Sequence, residues 1–101
     1  MAARKEGAAG RAVEVDGIKL TVSIDPSDDY ELAETSIIIA DPGSTKLERS
    51  RAIMKRNDMI LGAEKHRVLG ELRKRHGGRL SGEVVNGFVI AAAGKAVEAK
   101  N

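Results

Sequence analysis

The chain has 101 residues, a net charge of +2, no cysteine, no tryptophan, one tyrosine and one phenylalanine. Disulfides, thiolate metal sites and cysteine nucleophiles are therefore excluded, and the length suits one domain with a modest core of aliphatic side chains. Charge is unevenly spread: residues 1–44 carry 4 basic and 9 acidic side chains, residues 45–79 carry 11 and 4, a pattern that points to an acidic partner or to head-to-tail contact between copies.

Residues 1–12 read as a flexible N-terminal tail. Arg4 and Lys5 have no apolar stretch behind them, unlike a signal peptide, and no apolar run approaches the ~20 residues of a membrane span. A single helical domain with a leading hairpin is expected over 13–96, and a frayed end over 97–101.

Val13 and Val15 alternate with polar neighbours, Asp16-Gly17 is a two-residue turn signal, and Ile18, Leu20, Val22 and Ile24 alternate again. Period-two alternation on both sides of such a turn predicts a β-hairpin. Two strands alone are marginal in water, so the hairpin must lie on the helices or pair with another chain.

Asp28 and Glu31 have capping-box spacing, with Asp28 as N-cap, and predict a first helix to about Ala40. On a wheel Tyr30, Ala33, Ile37 and Ala40 share one face, and Leu32 and Ile39 fall on the other. A two-sided helix is buried twice, once in its own core and once elsewhere. Leu32 and Ile39, the outward pair, are then candidates for a partner or self-association surface; the competing placement sets both beneath the hairpin. Ile37-Ile38-Ile39 is a β-branched run that a short strand would also accept.

Thr45 and Glu48 make a second capping box. In the helix to about Leu61, the residues Leu47, Ser50, Ile53, Met54, Asn57, Ile60 and Leu61 fall within about 140° of arc. Gly62 breaks it. A third helix, Ala63 to His76, gathers Val68, Leu69, Leu72 and His76 on one side, and Gly77-Gly78 ends it. Ser81 caps a fourth, with Leu80 and Val85 placed as a hydrophobic staple. Val84, Val85, Phe88, Val89, Ala92 and Ala96 form its core face. The expected fold is mainly α: a short N-terminal β-hairpin followed by a bundle of about four helices.

Catalytic chemistry finds little support. His66 and His76 lie ten residues apart on one helix, about 15 Å, too far to share a metal, and His76 suits the core edge near a helix C-terminus. Asp25, Asp28 and Asp29 lack the ligand spacing of a calcium loop. No phosphate-binding glycine motif is present. No catalytic, cofactor or metal residue is assigned. Nucleic-acid binding is the alternative, through a basic face of Arg67, Arg73, Lys74 and Arg75. Against it, the fourth helix would be the recognition helix, and it offers little but Gly, Ala and apolar side chains for reading bases.

Several stretches together resemble the tail assembly chaperones of long-tailed bacteriophages and prophages of Gram-positive hosts. They are Val13-Glu-Val-Asp-Gly-Ile-Lys-Leu, Asp28-Asp-Tyr-Glu-Leu32, Ile60-Leu-Gly-Ala-Glu64, and Leu69 to Leu80 followed by Ser81-Gly-Glu-Val-Val. They cover most of residues 13–93. The resemblance implies a non-enzyme without cofactor, working in the host cytoplasm and absent from the mature virion. Its implied partners are the tape measure protein, the tail tube protein and further copies of itself, with no membrane role and nucleic acid disfavoured.

Overall fold

The computed structural model describes residues 10–100. Arg11–Val15 (β1) and Ile18–Val22 (β2) pair antiparallel, with Val15 opposite Ile18 and Val13 opposite Leu20. Asp16 and Gly17 both have positive φ, 52° and 80°. Such a turn matches the right-handed twist of the strands it joins. The alternation puts Val13, Val15, Ile18, Leu20 and Val22 on one buried face, while Ala12, Glu14, Lys19 and Thr21 face out. β1 begins at Arg11, so Arg11 and Ala12 belong to the strand and not to the tail expected over 1–12. Residues 1–9 of that tail lie outside the described residues.

Four α-helical segments follow: Tyr30–Ala40 (α1), Lys46–Leu61 (α2), Lys65–Arg75 (α3) and Gly82–Lys100 (α4). A 3-10 turn, Gly62–Glu64, joins α2 directly to α3. The fold is mainly helical with a leading hairpin, as expected, but the bundle of about four separate helices is corrected. Lys46 to Arg75 is one helical run bent at Gly62, so three helical stretches follow the hairpin. The bend arises because Gly62 sits at φ 56°, ψ −137°, outside helical space. α4 reaches Lys100, so the helix continues into the segment 97–101 set apart from the sequence.

Local chemistry sets the helix ends. Asp29, not Asp28, caps α1: its carboxylate accepts the N–H of Leu32 at 2.9 Å, while Asp28 N–H is tied back to the Asp25 carbonyl. Thr45 and Glu48 form the full capping box of α2. Ser81 Oγ accepts the Val84 N–H at 3.1 Å at the start of α4. Past α3, Gly77 and Gly78 take positive φ, and Gly78 N–H returns to the Arg73 carbonyl at 2.8 Å. That is the 6→1 bond of a glycine C-cap. His76, expected at the core edge, is exposed at this cap.

The molecule is a slab of 42 × 36 × 20 Å, two layers deep. α4 runs against β1, and β2 meets α2, α3 and α4. Val22, Ile60, Leu61, Val68 and Val89 are fully buried at the centre. Phe88, Ala92 and Ala96 complete the α4 face read from the sequence. α1 packs chiefly on α2.

Candidate partner-binding surface

α1 is turned about its axis relative to the expectation. Leu32 is only 7% exposed and joins the core with buried Thr35, and Ile39 is half-buried. Leu32 therefore offers no outward surface, and the assignment of Leu32 and Ile39 as an outward pair is corrected. The outward residues are Tyr30, 79% exposed, and Ile37, 68% exposed. Arg49 of α2 gives Nε to the Ile39 carbonyl and Nη2 to the carbonyls of Asp41 and Ser44, at 3.1–3.2 Å. The first bond satisfies a carbonyl that the helix C-terminus leaves open, and the other two tie the segment after α1 to α2. Ile37-Ile38-Ile39 is helical throughout.

The apolar arc of α2 divides into two. Ile60 and Leu61 are buried with Asn57, but Leu47 is 59% exposed and Met54 66%. Beside Met54 a groove of about 460 Å³ opens between α2, α3 and the start of α4. Its apolar walls are Ile53, Leu61, Leu69, Leu80 and Val85. Asn57 and Asn86 add the polar element: Asn57 Nδ2 donates to Asn86 Oδ1 at 2.8 Å, and Asn57 Oδ1 accepts Nε and Nη2 of Arg56. Burial pulls the Arg56 guanidinium below its ordinary pKa. The rim carries one ion pair, Lys65 with Asp58 at 2.8 Å.

The basic residues singled out from the sequence do not form one open face. Arg67 donates to the Lys19 carbonyl and pairs with Glu64, and Arg75 donates to the Asp16 carbonyl. Lys95 reaches the Glu14 carbonyl at 2.8 Å. These cations strap helices to the hairpin. Arg73 and Lys74 stand exposed in the last turn of α3, where positive charge complements the helix dipole.

No protein-family model, curated protein or solved structure matches this chain.

Among the described residues no group of three or more His, Cys, Asp or Glu side chains is placed to hold a metal ion, and His66 and His76 are both exposed. No helix among them is long and apolar enough to cross a membrane. What the surface offers is shape and apolar area: an open groove and two exposed apolar ridges. Sequence reasoning placed Leu47 and Met54 in one arc with Ile60 and Leu61. Two signals could have separated them: Arg51 lies between them, and Lys55 follows.

Proposed function

We propose that this chain is a non-catalytic tail assembly chaperone of a bacteriophage or prophage, binding the tape measure protein in the host cytoplasm as an oligomer and leaving before the virion is complete. The observation that carries the reading is the α2–α3–α4 groove. Its aliphatic walls are open to solvent, and its floor holds a fixed pair of asparagines. A groove of this kind accepts the apolar face of an amphipathic helix, read as anchors at i, i+3, i+4 and i+7. A tape measure chain exposes long helices of that type, which aggregate when uncovered. Replacement of the chaperone by tail tube protein then needs only reversible, modest contacts. The sequence likeness of the hairpin, helix starts and Leu-Gly boundary supports the same reading. Strapping of Arg67 and Arg75 to the hairpin weakens the nucleic-acid alternative, because phosphate contacts would compete with those bonds.

The test is co-expression of the chain with the tape measure protein of the same genome. Soluble, co-purifying tape measure protein is expected, and Leu69→Asp, with its helical content checked by circular dichroism, is expected to abolish it. A tape measure protein equally insoluble with and without the chain would overturn the reading.

A further inference from the structure

The groove between α2, α3 and α4 holds a one-way chain of hydrogen bonds, and Arg56 starts it. A guanidinium can only donate, so the Asn57 atom that takes its Nε and Nη2, at 3.2 and 3.1 Å, must be the oxygen. That fixes Asn57 Nδ2 as the donor to Asn86, at 2.8 Å, and the Asn86 atom that receives it as Oδ1. Asn86 Nδ2 is left as the outer end, and it donates to no group among the described residues. A free amide can turn over and offer either atom. This one cannot do so without breaking its bond to Asn57.

Asn57 and Asn86 both line the groove, and Asn57 is buried. On α2, Ile53 and Leu61 lie one turn to either side of Asn57, about 6 Å along the axis, and on α4 Val85 precedes Asn86. The donor therefore stands in mid-groove between aliphatic walls. A helix laid over it excludes water. If the covering side chain is apolar, the Asn86 N–H groups lose their hydration and gain no partner, which is costly. If it is a lysine, donor meets donor. A carboxylate fits poorly as well, because Lys65, the one cation lining the groove, is already held by Asp58, and an unpaired charge against aliphatic walls costs more still. A neutral carboxamide brings the required oxygen.

We propose that the groove selects helices by a glutamine set between two apolar anchors, one turn away on either side, with the glutamine oxygen accepting from Asn86 Nδ2. The selection rests on the helix-binding reading of the groove given above and names the chemistry of the segment that fits it.

The experiment is isothermal titration calorimetry on the full chain with three synthetic helical peptides. They share one amphipathic framework with leucine anchors and differ only at the centre of the apolar face, which carries glutamine, methionine of similar length, or lysine. The wild type is expected to bind the glutamine peptide about tenfold more tightly than either of the others, the size set by leaving one donor unpaired. Asn86→Asp, with its helical content checked by circular dichroism, keeps an oxygen for Asn57 and turns the free donor into an acceptor. In that variant the lysine peptide is expected to become the tightest of the three. NMR on the wild type gives a readout that needs no variant: the Asn86 side-chain amide protons are expected to move downfield with the glutamine peptide and not with the methionine peptide. Equal affinity for all three peptides, an order unchanged in Asn86→Asp, or Asn86 protons that ignore the glutamine would overturn the selection. Equal binding that is lost in Leu69→Asp would do so while leaving the groove as a helix site. Binding that survives Leu69→Asp, or no binding of any peptide, would overturn the function proposed for the groove and this selection with it.

Discussion

Glu64 accepts the backbone N–H of Thr21 through Oε2 at 2.6 Å, closing part of the outer edge of β2. Its other oxygen pairs with Arg67, which also takes the Lys19 carbonyl. An exposed strand edge is a template for unwanted pairing. Here residues at the α2–α3 bend occupy it. The Thr21 N–H first, and Arg67 after it, hold the Glu64 carboxyl below its ordinary pKa.

That depression sets a pH dependence. A carboxylate with a lowered folded-state pKa adds stability above its unfolded value, about 4.3 for Glu, and loses it as pH falls through the folded value. Wild type should be more stable than Glu64→Gln at pH 7. The gap should narrow as pH drops below about 4.3 and vanish once the folded-state carboxylate is protonated. Urea unfolding of both proteins across pH 2–7 checks this, and a gap that widens in acid would contradict it.

The orientation of α1 has a direct stability signature. Leu32→Ala removes a buried side chain and should cost about 2–5 kcal/mol. Ile37→Ala touches solvent and should stay within about 0.5 kcal/mol. Chemical denaturation of the two single variants distinguishes the sides. Equal costs would mean that α1 is turned differently.

Asn57 is buried, and its amide is satisfied on both sides, by Arg56 and by Asn86. Asn86→Ala strands the Asn57 donor. Leaving a buried polar group unpaired costs about 1–3 kcal/mol. Thermal unfolding should show this loss. Asn57→Ala, which removes the buried amide itself, should add little when combined with Asn86→Ala, since the two residues act as one unit.

Two glycines with open space around a would-be Cβ should respond with opposite signs. Gly62 has φ 56° and Gly94 lies within α4, and a Cβ at either would meet nothing within 4 Å. Gly62→Ala carries only backbone strain, about 1–3 kcal/mol of destabilisation. Gly94→Ala should stabilise by about 0.4–1 kcal/mol, by restricting the unfolded chain. The midpoints of urea unfolding for the pair make the comparison.

The sequence by itself determined whatever depends on near neighbours. Asp16-Gly17 specified the turn, and period-two alternation then fixed which hairpin side chains are buried, because a one-residue slip would reverse the faces. Thr45 with Glu48, Ser81, and Gly77-Gly78 marked helix ends through bonds that span three to five residues. The core face of α4 was legible because Val84, Val85, Phe88 and Val89 fall on one side of that helix, with Ile90 the large apolar residue left exposed on the other.

Tertiary structure decided the rest. α1 has two apolar faces, and a wheel cannot rank them; packing of α1 on α2 did so, with Leu32 and Thr35 buried. The α2 arc reads as one stripe, yet Ile60 and Leu61 meet the core while Met54 lines the open groove between α2, α3 and α4 and Leu47 stands exposed beyond it. The hydrogen bonds of Arg67 to Lys19, Arg75 to Asp16 and Lys95 to Glu14 cross 48 to 81 residues of sequence. Charge in a sequence gives sign and count; which carbonyl a guanidinium reaches depends on where the chain has already folded.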